Sequence, residues 1–126
     1  MKLLLALAAT LSLVSCATIA PPAPSGTVDH IVLLWLKRPG NAEDRKAILA
    51  ATDELRVIPG IKFLDTGTPL PSDRPVVDDS FDIGLTMRFE SAAALRAYET
   101  NPLHVKKVTE VLRPLSRKLQ VYDIQR

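Results

Sequence analysis

The amino-acid sequence predicts an α+β domain, an antiparallel sheet with helices on one face, in the element order β-α-β-β-α-β. Three stretches carry this expectation. VDHIVLLWLK (28–37) is apolar on both parities and reads as a strand buried on both sides. FDIGLTMRFE (81–90) alternates, with Phe81, Ile83, Leu85, Met87 and Phe89 on one face and Asp82, Gly84, Thr86 and Arg88 on the other. AALRAYETNPLHVKKVTEVLRPL (93–115) has helical spacing but is interrupted at Asn101-Pro102. Proline disfavours the α conformation of the residue before it and suits the first turn of the helix it opens.

A chain of 126 residues accommodates one domain and a short appendage. The formal net charge is +2, with lysine and arginine scattered among acidic residues. Neither a nucleic-acid footprint nor an aromatic platform for single strands is present in this composition. The appendage is N-terminal. Lys2 precedes an apolar run, Leu3 to Val14, that is shorter than the roughly 20 residues a membrane span needs. The run ends Leu13-Val14-Ser15-Cys16 and is similar to a bacterial lipobox, so residues 1–15 are expected to be a lipoprotein signal peptide and Cys16 the lipidated residue. Cys16 is the single cysteine, which excludes an intramolecular disulfide. Acyl chains on it would hold the protein to membrane lipid in the cell envelope, and Ala17 after it resembles outer-membrane sorting, facing the periplasm. ATIAPPAPSGT (17–27) is uncharged and aperiodic, so 16–27 is expected to be a tether and 28–126 the folded unit.

Within that unit the strand 28–37 comes first. Its two apolar faces need two covers; helices supply one, and a second copy of the chain is the simplest other, so a homodimer is expected. Helix 42–57 follows, with Asn41 as cap, Glu43 and Asp44 in its first turn, and Ile48, Ala51 and Leu55 at helical spacing. Pro59-Gly60 ends it and IKFLDTG (61–67) is a short strand. Residues 68–80 are rich in breakers and read as a mobile loop, either a lid or slack; its three aspartates, Asp73, Asp78 and Asp79, read as solvated rather than metal-binding. Ser91 caps helix 92–100, on which Leu95 and Tyr98 share a face. From Pro102 onward His104, Val108, Leu112 and Leu115 form an inward stripe beside Val105 and Val111, while Lys106, Lys107, Glu110 and Arg113 look outward. KLQVYDI (118–124) is the last strand. This order of elements is the ferredoxin-like pattern.

The segments HIVLLWLK, IPGI, FDIGLTMRFES, AYETNPLH and LRPLSRKLQVYDI together resemble the stress-responsive A/B-barrel (Dabb) domain family over nearly all of 28–126, most specifically in the Tyr-x5-His of Tyr98 to His104. The resemblance implies a homodimer whose two sheets face each other as an α/β barrel, with an apolar cavity between sheet and helices in each subunit. In plant polyketide cyclases of that family a tyrosine and a histidine act on the substrate and a first-strand histidine lines the cavity. Carried over, these are Tyr98 and His104 as catalytic residues and His30 as a ligand-binding residue. A neutral imidazole on an apolar stripe suits a general base, and a buried phenol suits a donor to a carbonyl or enolate. The competing expectation is that His104 bonds backbone near the helix break and Tyr98 is core. Three functions stay open: a lipid-anchored binder of a small apolar ligand with or without acid–base, cyclase-like activity; a non-catalytic dimeric envelope or stress protein; and a haem protein with His104 as axial ligand, because related dimeric barrels bind haem. No resident cofactor or metal is expected, and no phosphate loop, zinc spacing or nucleophile motif is present in the sequence.

Overall fold

The computed structural model describes residues 26–126; the expected signal peptide, Cys16 and all of the expected tether but its last two residues lie outside the described residues. Four strands form one sheet in the order β2-β3-β1-β4, with β1 Val28–Leu36, β2 Ile61–Gly67, β3 Ile83–Phe89 and β4 Ser116–Gln125. Every neighbouring pair is antiparallel, as the ferredoxin-like pattern requires. β1 is an inner strand with apolar residues on both faces. On the inner face Val28, His30, Val32, Leu34 and Leu36 are buried beneath the helices. The outer face is covered differently. Asp29 is held by Arg88 at 2.6 Å and Arg126 at 2.7 Å. Trp35 meets the Phe81 ring and the Lys118 ammonium, the latter 4.1 Å from its ring centre. Beyond these, the outer face is half-apolar: Phe63, Tyr122 and Ile124 are exposed, and Ile31 and Leu33 are half-buried.

Helix α1, Ala42–Asp53, starts at Asn41, whose side chain accepts the Asp44 N–H at 3.0 Å, and runs into a 3₁₀ turn, Glu54–Val57. Its Ile48, Ala51 and Leu55 enter the core as their spacing predicts. Gly60, at φ +91°, opens β2 where the backbone passes α2; a Cβ there would lie 2.7 Å from that of Ala94. Helix α2, Ala92–Glu99, is capped by Ser91, which accepts from the Ala94 N–H at 3.1 Å. After the break, Asn101 caps α3, Pro102–Lys107, by accepting the Leu103 N–H at 2.9 Å.

Two expectations need correction. The stripe from Pro102 to Leu115 is not one regular α-helix. A π-helical turn, Val108–Leu112, is followed by a last α turn, Arg113–Leu115, and the Arg113 N–H reaches back to the Val108 carbonyl. Pro114 offers no N–H to the Glu110 carbonyl and its ring crowds it, which favours widening the helix there. Each added residue turns the following side chains by about 100°, so Arg113 comes round to border the cavity while staying exposed. Nor do Val105 and Lys107 follow the expected stripe: Val105 is exposed, while Lys107 lies mostly covered with its ammonium 2.5 Å from Glu54. The second correction concerns 68–80. This stretch is tied down: the Ser72 N–H donates to Asp79 at 2.9 Å, Ser80 Oγ donates to Asp78 at 2.6 Å, and Trp35 Nε1 donates to Ser80 at 2.9 Å. Short polar side chains satisfy backbone and neighbours locally. Its last residue bonds Trp35 on the outer sheet face, and none of its residues lines the cavity described next, so it is not a lid over that cavity.

The first and last described residues meet. The Gly26 N–H donates to the Arg126 carbonyl, and the Arg126 N–H to that of Thr27 at 3.0 Å. Among the described residues no helix is long and apolar enough to cross a membrane.

Candidate functional site

Inner sheet and helices do not close completely on one another. Between them is a cavity of about 510 Å³, within the usual range for a small-molecule site. Val32, Leu85 and Met87 of the sheet and Val108 and Leu112 of the helical segment make its walls apolar. The three histidine and tyrosine candidates meet at one end of it.

Tyr98 sits in the last turn of α2 and is 2 % exposed. Its ring packs on Phe89 at 4.9 Å and on the His104 imidazole at 4.2 Å, with His30 edge-on at 5.9 Å. The phenol bonds to no described residue and is not among the sealed, unpartnered polar atoms, so its remaining access is to the cavity that the residue lines. Burial raises its pKa, which keeps the group a hydrogen-bond donor.

His104 is placed by the helix break. Its Nδ1 lies 3.0 Å from the Glu99 carbonyl oxygen. A carbonyl only accepts, so Nδ1 carries the proton and the neutral ring keeps its lone pair on Nε2. Burial lowers the imidazole pKa, and the hydrogen bond to Glu99 opposes this; His30 lowers it further and the Glu99 charge raises it. The net direction favours the neutral base. Thus the backbone bond and the cavity-facing role, which the sequence sets against each other, occur together: one ring nitrogen is anchored and the other is available.

His30 Nδ1 is 2.6 Å from Asp123 Oδ1, its register partner on β4. The imidazole is buried, while the aspartate keeps 42 % of its side-chain surface exposed. Sequence reasoning did not single out Asp123, Glu99 or Arg113. Asp123 is 93 residues from His30, and only strand register brings them together. Arg113 lines the cavity from the helix that follows the π turn and is itself exposed.

Among the described residues no group of three or more His, Cys, Asp or Glu is placed to hold a metal ion. Haem would need His104 Nε2 and room beside it for a macrocycle. The Nδ1 of His104 is held by the Glu99 carbonyl, so Nε2 is the nitrogen left for an axial bond.

The fold recurs in solved structures. A Dabb-family protein of Mesorhizobium loti with a ferredoxin-like fold is 26% identical, with 81% of this chain and 98% of that one covered and a TM-score of 0.67. The hydroxynitrile lyase of Passiflora edulis is 23% identical, with 82% and 95% covered and a TM-score of 0.70. A dimeric ferredoxin-like protein of Thermobifida fusca is 16% identical, with 81% and 92% covered and a TM-score of 0.65. No curated protein matches the chain. The profile of the stress responsive A/B barrel domain matches residues 28–126, the whole of the sheet and helices described above. The chain is a member of the stress responsive A/B barrel domain (Dabb) family.

Proposed function

We propose that this protein binds a small, mainly apolar molecule carrying a carbonyl group and performs acid–base chemistry on it. The observation that supports this best is the pairing of a buried phenol that has no described partner with an imidazole whose Nε2 is left unbonded, both on one cavity. Tyr98 donates to the carbonyl oxygen. His104 Nε2 takes a proton from the adjacent carbon, the electron pair moves into the carbonyl to form an enolate, and the phenol stabilises the oxyanion. Return of the proton from His104 to a different carbon completes an isomerisation; alternatively the enolate carbon attacks a second carbonyl of the same molecule to close a ring, and the new alkoxide takes the proton from His104. That one structural neighbour is a hydroxynitrile lyase supports catalysis on this scaffold without indicating the substrate.

The working unit in this proposal is a homodimer joined through the outer sheet faces. The exposed Phe63, Tyr122 and Ile124 support it, as do structural neighbours described as dimeric. The leader pattern ending at Cys16 supports a lipid-anchored protein of the bacterial envelope, on the outer membrane and facing the periplasm.

The polarity-sensitive aromatic ketone 6-propionyl-2-dimethylaminonaphthalene tests binding. Its emission is expected to shift to the blue with wild type, and affinity to fall about tenfold in Tyr98→Phe and His104→Ala, the loss of one or more hydrogen bonds. Exchange of the ketone's α-hydrogens for deuterium should be catalysed by wild type and lost in His104→Ala. Absence of a shift refutes binding. Binding without exchange leaves a dimeric envelope protein with a pocket and no acid–base step.

A further inference from the structure

The chemistry proposed above uses Tyr98 and His104 at one end of the cavity and gives no role to Arg113, which follows them along the helical segment. Arg113 lines the cavity and makes no ion pair or side-chain hydrogen bond with any described residue. We propose that Arg113 anchors a carboxylate, and that the ligand is an amphiphilic monocarboxylic acid held with its acid group at Arg113 and its carbonyl end at Tyr98 and His104. This rests on the ligand-binding reading of the same cavity and specifies the class of molecule.

The helical wall gives the spacing, and the strand wall is of similar length. Along the helical segment His104 and Arg113 are nine residues apart, about 13 Å at helical rise. Along β4, Asp123 and Leu119 are four residues apart, about 13 Å at strand rise. Between the ends the lining is apolar: Val108 and Leu112 on the helix, Leu119 and Val121 on the strand. A molecule that fills this space is polar at both ends and apolar between.

Charge sets its direction. Glu99 and Asp123 both line the cavity at the histidine end and repel an anion there. The cation stands at the opposite end, and a guanidinium matches a carboxylate with two parallel hydrogen bonds. The π turn is what brings it there. In a regular α-helix Arg113 would point about 100° away.

Octanoate and octan-1-ol, which share a chain and differ in charge, test the anchor by titration calorimetry. Wild type is expected to bind octanoate about tenfold more tightly than the alcohol, a charge-assisted bond discounted for exposure. Arg113→Gln should bind both alike with unchanged affinity for octan-1-ol and an unchanged melting temperature, because the side chain has no structural partner; Arg113→Lys should retain part of the preference. Equal affinities in wild type, or a preference that survives in Arg113→Gln, overturn the anchor alone. If wild type binds neither probe, the anchor and the ligand-binding reading both fall.

Discussion

Replacing Gly60 by alanine probes how the site is held from behind. At φ +91° an L-residue is strained by about 1–2 kcal/mol. The added methyl would also lie 2.7 Å from the Ala94 Cβ, an atom fixed to the α2 backbone that cannot swing aside. Overpacking of that kind costs about 1–3 kcal/mol, so the expected total is about 3 kcal/mol. For a domain of this size that lowers the melting temperature by roughly 10–25 °C. Thermal and urea unfolding followed by circular dichroism measure it. The control is Ala94→Gly, which alone costs about 1 kcal/mol as a helix substitution. If the methyls collide, the double variant is less destabilised than the sum of the two by about 1–3 kcal/mol, with the φ strain and the helix cost of the glycine left uncorrected. Ala94 is one helical turn before Tyr98, so the single variant should also weaken ketone binding at temperatures where it is still folded. A melting temperature within a few degrees of wild type, or strict additivity, would refute the packing contact between β2 and α2.

The pH dependence follows from His104. Its pKa is lowered in the folded protein, so as pH falls below the ordinary imidazole value of 6.5 the unfolded chain takes up the proton first and stability declines until the folded pKa is passed. Above that value the group contributes a constant amount; His104→Gln should flatten the melting-temperature profile between pH 7 and 5, and an unchanged slope would assign it elsewhere. For the dimer, light scattering should give twice the mass of the chain for wild type and a monomer for Tyr122→Lys/Ile124→Lys, whereas a monomeric wild type sinks the proposed pairing. Cys16→Ala should abolish palmitate labelling and release the protein from the membrane fraction; retention there would count against the lipid anchor. Titration with haem tests His104 as an axial ligand: a Soret shift lost in His104→Ala would support that reading, and no shift would end it.

What could be read in advance was whatever lies in local periodicity. The double apolarity of 28–37 marks β1 as a strand with two faces to cover, the alternation of 81–90 becomes β3, and Asn101-Pro102 separates α2 from α3 within a residue. The position of Tyr98 and His104 beside one cavity follows from that break. The partners of these groups were not legible. Asp123 belongs to a strand whose alternation gives no hint of His30, and the bond exists only because β1 and β4 are in register. Arg113 is exposed, as its spacing predicts, yet it borders the cavity because the helix widens before Pro114. The stretch 68–80 has the composition of a loose loop, but its order comes from individual bonds of Ser72, Ser80 and Trp35 that no window average contains.

The knit between Gly26, Thr27 and Arg126 makes the domain's connectivity separable from its architecture. With both ends side by side on neighbouring strands, a short glycine–serine bridge could join them and the chain could be reopened elsewhere. The 68–71 stretch, where Leu70 is 83 % exposed, is a suitable place to cut, because it belongs to neither the cavity nor the core. Such a circular permutant would start in what is now the β2–β3 connection and keep every strand pairing. It would also move any tether from the β1 end to the far side of the sheet, so the direction in which the cavity faces a surface could be varied without altering a residue that lines it.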